Sequence, residues 1–394
     1  MPVLLDRGNL GYTVLGSQRE IHASNIQSSN GIDIALVNNM PDSALKATER
    51  QFAELLAAAS GDMLIRVKLF TLPDVPRSES ARRYLNETYS TFDSLWSSRP
   101  DGLIVTGTEP RAAALADEPY WSTLTQIVDW AQYATKSAIW SCLAAHAAIL
   151  HVDGIYRRPL REKRSGVFEC TRIADHPMVA TMPPQFRIPH SRCNGLDQND
   201  LTACGYTILA NSAQAGVDSF VKRMGSTFVF FQGHPEYDAG TLLREYRRDV
   251  GRFVRGERET YPSMPEGYFA PQATSQLMAF RESALIAKSN PLMNDFPAVE
   301  HSVTNTWRSA ATSSYRNWLL SLVAQEAGRP IQKARMSSRT AAYSAMPKAP
   351  TKLVAIDGNG LSHRRLSPVG SAHAPGAPAR RSAIAKPPVG GPKA

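Results

Sequence analysis

The sequence predicts an α/β protein built on a mostly parallel sheet flanked by helices. Three observations carry that expectation. Short apolar runs alternate with amphipathic helical stretches from Ile32 onward, a cysteine stands at the junction of one such run and a helix, and a later run ends in a histidine and a carboxylate. Strands that alternate with helices pack as βαβ units, and the loops at the strands' carboxyl ends then build the site.

In chain order, residues 1–31 are polar and aperiodic, a lead-in expected to drape over the fold. Ile32 to Val37 is a short apolar strand, and Asn38-Asn39-Met40-Pro41-Asp42 a turn broken by proline. Phe52, Leu55 and Leu56 put a core face on a helix from Thr48 to Ala59, and Leu64 to Phe70 is the next strand. Arg77 to Trp96 is mostly polar with scattered aromatics. Asp101 to Gly107 is an apolar strand running into a glycine turn, whose continuation Thr106-Gly107-Thr108-Glu109-Pro110-Arg111 is a strand-end loop able to border a site. Tyr120 to Ala134 is amphipathic, with Leu124, Ile127, Val128 and Ala131 on one face, and leads into Ala138 to Leu150, where a strand turns into a helix at Cys142.

Beyond that junction, Arg157 to Arg164 is densely basic and reads as solvated surface before a strand at Val167 to Cys170. Ile188 to Arg192 reads as a loop of polar donors. Tyr206 to Ala210, Ser219 to Lys222 and Phe228 to Phe231, separated by glycine turns, form an antiparallel extension. A charged helix follows at Thr241 to Phe253, and a last amphipathic helix at Trp307 to Ala327. The organisation is thus a lead-in (1–31), one catalytic domain (32–328) and a Pro/Ala-rich tail (329–394) with no periodic apolar pattern, expected to be disordered.

Composition narrows the function classes. No run approaches the ~18 apolar residues of a membrane span and the N-terminus lacks a signal-peptide core, so the expected address is the cytoplasm, without a membrane partner. The four cysteines, Cys142, Cys170, Cys193 and Cys204, show no Cys-x-x-Cys spacing and read as free thiols, with no metal site expected. The net charge of +9 invites a nucleic-acid reading. However, residues 331–394 hold eleven Lys or Arg against the single acid Asp357, which leaves the remainder at −1. The basic character belongs to the tail, and nucleic acid is not the expected partner of the folded part.

The chemistry concentrates at Cys142 and at Gln232-Gly233-His234-Pro235-Glu236. A cysteine at a strand-to-helix turn faces the helix's free N–H groups, which stabilise a thiolate and an oxyanion. Gly107 offers a further backbone N–H. A strand that delivers His234 and Glu236 supplies a base and its orienter, so Cys142, His234 and Glu236 make a nucleophilic triad. Each piece alone also fits a bland reading: a small buried thiol, a surface turn, a plain strand end.

Together with other motifs in the same order, the triad resembles the homoserine O-succinyltransferase family of methionine biosynthesis, a relative of the class I glutamine amidotransferase fold with its flavodoxin-like core. The resemblance runs from about Ile32 to Leu322. It is carried by Asp101 to Gly107, Tyr120-Trp121, the Cys142 elbow, Glu162-Lys163 with Ser165-Gly166-Val167, and Pro189-His190-Ser191-Arg192. It continues through Gly233-His234-Pro235-Glu236-Tyr237-Asp238-Ala239, Arg248-Asp249, Trp307-Arg308-Ser309 and Asn317-Trp318-Leu319. The resemblance implies that Cys142 is the acyl-thioester nucleophile, His234 the general base and Glu236 its partner. It implies that Lys163, a residue at or next to Ser191, and Arg248 bind the amino acid or the acyl group. Gly107 and Leu143 are the candidate oxyanion donors. The substrates implied are L-homoserine and an acyl-CoA as co-substrate, with no bound cofactor, in a homodimer.

The chain departs from the family pattern after Gly107. Where the family usually has Ala-Pro and then glycine or glutamate in the place of Arg111, a position that sets acyl choice, this chain has Thr108-Glu109-Pro110-Arg111. A cation there favours the free carboxylate of succinyl-CoA unless Glu109 neutralises it. The alternatives are an acetyltransferase acting on homoserine or serine, a glutamine amidotransferase-like cysteine hydrolase, and a binding protein working through its basic tail. The hydrolases normally place glycine two residues either side of the nucleophile, where this chain has Trp140 and Ala144.

Overall fold

In the computed structural model, which describes residues 3–7, 12–14, 20–21, 31–287 and 290–327, the apolar runs pair into one sheet. The tail at 329–394 and most of the lead-in lie outside the described residues. The strands are Val3–Asp6 (β1), Tyr12–Val14 (β2), Glu20–Ile21 (β3), Ile32–Val37 (β4), Ile65–Phe70 (β5), Gly102–Val105 (β6) and Ser137–Ser141 (β7), then Arg158–Arg172 (β8), Gln185–Gly195 (β9), Thr207–Ser212 (β10), Gly216–Arg223 (β11) and Thr227–Phe231 (β12). The helices are Asp42–Ser60 (α1), Glu79–Thr88 (α2), Asp93–Ser97 (α3), Trp121–Ala134 (α4), Leu143–Asp153 (α5), Gln198–Ala203 (α6), Thr241–Val254 (α7), Pro271–Ala287 (α8) and Arg308–Ala327 (α9).

The central block, in the order β1-β5-β4-β6-β7-β12, is parallel throughout, and the antiparallel strands β11, β10, β8 and β9 extend it past β12. Successive residues of a strand face opposite sides of a sheet, and here both sides are buried. Ile34, Leu36, Ile104, Ile139 and Phe231 pack on α1 and α9, whereas Ala35, Val37, Leu103, Trp140 and Phe230 pack on α4 and α5. This explains the unbroken apolar runs. Because β5 and β6 lie on opposite sides of β4, the winding reverses there, and a crevice opens at the carboxyl ends of β4 and β6.

Two buried asparagines close the floor of that crevice. Asn39 donates from its N to Thr106 Oγ1 (2.8 Å) and from Nδ2 to Thr106 O (3.1 Å), while its Oδ1 accepts from Leu72 N (3.0 Å). Asn38 donates to Leu45 O and to Tyr89 OH, both at 3.0 Å. Side-chain amides thus serve the backbone groups that the ends of β4, β5 and β6 leave unpaired.

Several sequence expectations are corrected. Val3, Leu4 and Leu5 are buried in β1, which pairs with β5, so that part of the lead-in joins the sheet. The first helix begins at Asp42, its polar opening turn masking the apolar pattern, and the Arg77–Trp96 stretch holds α2 and α3. The basic run Arg157–Arg164 leads into and forms much of β8, and Ile188–Arg192, expected as a loop, is the middle of β9. Their polar side chains broke the pattern because this pair of strands borders the site.

Candidate active site

Cys142 follows directly on β7 and caps α5. Its φ is 51°, and among the described residues no other non-glycine has a positive φ. A left-handed cysteine costs about 1–3 kcal/mol, which the surrounding bonds must hold. Cys142 N donates to Phe231 O (2.7 Å), and Cys142 O accepts the first helical bond from His146 N (3.2 Å). The parallel pairing of Ser141 with Phe231 then sets Cys142 level with Gln232, so His234 comes two residues beyond.

His234 is buried, its backbone N donating to Pro189 O (2.7 Å) and its ring stacked on Tyr237 at 4.2 Å between centroids. Nδ1 is 2.8 Å from Glu236 Oε1. That contact leaves Nε2 as the free ring nitrogen, buried without a hydrogen bond of ordinary geometry and facing Cys142. Burial opposes charge on the ring, but the Glu236 carboxylate and the Cys142 sulfur outweigh it, and the His234 pKa lies well above its usual value. The three residues thus form one array able to move a proton between a sulfur or hydroxyl and Nε2.

Gly107 lies just past the end of β6, against the start of α5. A Cβ at this position would lie 2.8 Å from Leu143 Cβ and 3.0 Å from Leu143 N. The Gly107 backbone thus lies against the Leu143 amide, and an N–H in the first turn of a helix has no intrahelical acceptor. Gly107→Ala should push these two segments apart and lower kcat on the order of 10²-fold. Steady-state assay at saturating substrate beside a thermal melt checks this; unchanged kcat in a folded variant removes the oxyanion role.

Lys163, Ser191 and Arg248 converge from β8, β9 and α7. A register irregularity between Pro159 and Arg164 precedes the regular β8–β9 pairing and aims Lys163 inward. Lys163 Nζ donates to Asp249 Oδ2 (2.8 Å) and lies 3.6 Å from Glu245 Oε2. Ser191 Oγ donates to Glu245 Oε2, and Tyr237 OH to Glu245 Oε1 (2.7 Å). Arg248 points Nε and Nη2 at Asp249 Oδ1, at 3.1 and 3.0 Å, which ties down one edge of its fork. Tyr237, Glu245 and Asp249 escaped the sequence reading as site residues. Their signal was present, since Glu245, Arg248, Asp249 and Arg252 follow the i, i+3, i+4, i+7 spacing of one helix face.

Arg111 is exposed, and its backbone N donates to Glu118 Oε1 (2.6 Å), as does Ala112 N (2.8 Å). The buried Glu118 therefore shapes the loop. Glu109 pairs with Arg252 at 3.1 Å, and its carboxylate is thus committed away from Arg111. A further cation, Arg157, is half-buried and makes no hydrogen bond or salt bridge among the described residues. Burial lowers its pKa against the opposing pull of Tyr120, Glu118, Cys142 and Cys193. Arg157 was hidden in the sequence inside a run that looked like surface charge.

A family model described as homoserine O-succinyltransferase matches residues 15–329. The chain is 48% identical over 288 residues to the homoserine O-succinyltransferase of Methylorubrum extorquens, covering 73% of this chain and 86% of that one. It is 47% identical over 296 residues to that of Rhodopseudomonas palustris, covering 75% and 89%. Among solved structures, a glutamine amidotransferase from Methylobacillus flagellatus is similar at 13% identity and a TM-score of 0.42, over 75% of this chain and 96% of that one. A likeness of that size says nothing of activity.

Proposed function

The chain belongs to the homoserine O-succinyltransferase family, and from that premise we propose that it carries the succinyl group of succinyl-CoA, through a thioester on Cys142, to the hydroxyl of L-homoserine. It is an acyltransferase of methionine biosynthesis. What supports the assignment of roles is one juxtaposition: a positive-φ cysteine at a helix start facing the free Nε2 of a histidine whose Nδ1 rests on a carboxylate.

In this reading the Cys142 thiolate attacks the thioester carbonyl, and the oxyanion forms against the Gly107 and Leu143 N–H groups. The C–S bond to CoA breaks, and the CoA sulfur takes the proton from the His234 imidazolium. Acylation removes the sulfur's charge, one of the two influences that raise the His234 pKa. His234 is then better suited to accept the homoserine hydroxyl proton as that oxygen attacks. Collapse breaks the Cys142–acyl bond, and O-succinylhomoserine leaves. Glu245 receives the ammonium group of homoserine, while Arg248 and Lys163 receive its carboxylate. The reaction belongs in the cytoplasm, where acyl-CoA is available, and the family reading takes the enzyme as a homodimer.

For the donor's free carboxylate the candidates are Arg111 at the loop and the half-buried Arg157, neither of which makes a salt bridge among the described residues. Mass spectrometry of protein incubated with succinyl-CoA or acetyl-CoA, without acceptor, should find the succinyl mass on the Cys142 peptide. Arg157→Ala and Arg111→Ala are expected to cut the succinyl-over-acetyl ratio of kcat/KM by about 10–100-fold for the residue that binds the carboxylate. An acetyl adduct of equal or faster formation in wild type refutes the donor. A ratio unmoved in both variants refutes the carboxylate sites.

A further inference from the structure

Behind the Gln232-Gly233-His234 turn lies a second set of buried ionisable side chains that the mechanism does not use: His190, Asp218 and Arg192, exposed by 0%, 1% and 5%. Arg192 Nε approaches His190 Nδ1 at 3.4 Å, so Nδ1 is the acceptor and the ring proton sits on Nε2. That Nε2 lies 3.3 Å from Asp218 Oδ1, close enough for their charges to act on each other but outside hydrogen-bond geometry, and both atoms are buried. Arg192 is itself anchored, Nη1 donating to Asn194 O (2.6 Å) and Nη2 to Ala215 O. The array runs from a fixed guanidinium, through a neutral imidazole, to a carboxylate.

Its far end touches the turn that carries the active-site histidine. A Cβ on Gly233 would sit 2.5 Å from Asp218 Oδ1 and 3.1 Å from His190 Nε2, so the backbone of Gly233 rests directly on the pair. Asp218 and the residue before His190 supply the backbone grip on the turn, Asp218 O accepting from Gln232 N and Pro189 O from His234 N, each at 2.7 Å. From the opposite side His146 Nε2 meets Gln232 Oε1 at 3.0 Å, and Gln232 Nε2 donates to Val217 O (2.7 Å). Burial, with Arg192 and His234 nearby, holds the His190 pKa below its usual value despite Asp218, so His190 stays neutral beside a histidine that must carry charge.

Cys170, His190 and Asp218 also bring three ligand-type atoms within 4.8 Å of one another. The Arg192 guanidinium, its Nε 3.4 Å from His190 Nδ1, opposes a second positive charge there.

We propose that Arg192, His190 and Asp218 are positioning residues, a buried polar array that seats the Gly233-His234 turn and so aims His234 Nε2 at Cys142. The inference rests on the roles proposed above for Cys142 and His234. What the array needs from position 218 is an acceptor, and from position 190 a side chain that accepts from Arg192 and donates to Asp218. Asp218→Asn and His190→Gln keep those groups, whereas Asp218→Ala removes the oxygen that faces the buried His190 N–H.

The test measures kcat and the KM for homoserine, and, at a temperature well below each melting point, the rate at which iodoacetamide alkylates Cys142. Asp218→Ala should lower kcat by about 10–100-fold with KM within about twofold, and slow alkylation in parallel, while Asp218→Asn and His190→Gln stay within about threefold of wild type. Wild-type kcat in Asp218→Ala overturns the inference, as does an alkylation rate that does not change, or an Asp218→Asn as damaged as Asp218→Ala. A measurement independent of any variant is the nitrogen chemical shifts of His190 in the wild-type protein: the neutral Nε2–H tautomer supports the array, and an imidazolium or Nδ1–H form overturns it. Stoichiometric zinc in the purified protein also overturns it. Failure of the wild type to form an acyl-cysteine refutes the underlying reaction instead, and leaves the tautomer and alkylation results to judge the array by themselves.

Discussion

Cys142→Ala should abolish acyl transfer, lowering kcat/KM by at least about 10⁴-fold, while the folded protein keeps its stability or gains some. In the proposed mechanism every turnover passes through the sulfur, so no residual route through the same intermediate survives its removal. Alanine also loses nothing in packing, since the Cys142 side chain is only partly buried. The positive φ of 51° remains as strain with either residue. The measurement is a transfer assay beside a thermal melt, together with NMR titration of His234. Because the sulfur is one of the two influences that hold the His234 pKa up, its removal should move that titration to lower pH. A Cys142→Ala enzyme within tenfold of wild type would mean direct transfer from CoA to homoserine.

The second large effect is expected of Glu236→Gln. Glu236 Oε1 sits 2.8 Å from His234 Nδ1, fixes which ring nitrogen is free, and stabilises the imidazolium. An amide there can turn its NH₂ toward the ring and reverse the tautomer, so kcat should fall about 10²–10⁴-fold. The sign of the pH effect follows from the charges that face His234. Burial lowers its pKa, Glu236 and Cys142 raise it, and Tyr237 and His190 beside it are neutral, Tyr237 having a pKa raised well above the usual phenol value by burial and by Glu245 and Glu236. Without the carboxylate, the unprotonated form that accepts the homoserine proton persists to lower pH. The acid limb of the kcat profile should therefore shift downward in Glu236→Gln, and an upward shift, or a limb that stays in place, contradicts Glu236 as the partner of His234.

The parallel core was legible because its strands are buried on both faces, which leaves unbroken apolar runs such as Ile139-Trp140 and Phe228 to Phe231. The β8–β9 pair was not. Its residues Arg158, Arg161, Lys163 and Ser191 serve solvent and site rather than core, and polar side chains give a strand no apolar period to read. The amphipathic period of α7 showed in the sequence, but its acids Glu245 and Asp249 gained meaning only once Lys163, Ser191 and Tyr237 had been brought against them.

The sequence by itself determined the alternation of strand and helix in the parallel core, the cysteine at a strand-to-helix junction, the histidine and carboxylate at a strand end, and the placement of the excess positive charge in the tail. These are local properties, written in residues adjacent or one helical turn apart. Only the tertiary structure decided that Gly107 lies on Leu143, that Glu109 turns to Arg252 and leaves Arg111 alone, and that His190 and Asp218 sit under Gly233. Each of those contacts joins residues well separated along the chain, and their energy depends on distance and burial, which the sheet order sets and no single segment encodes.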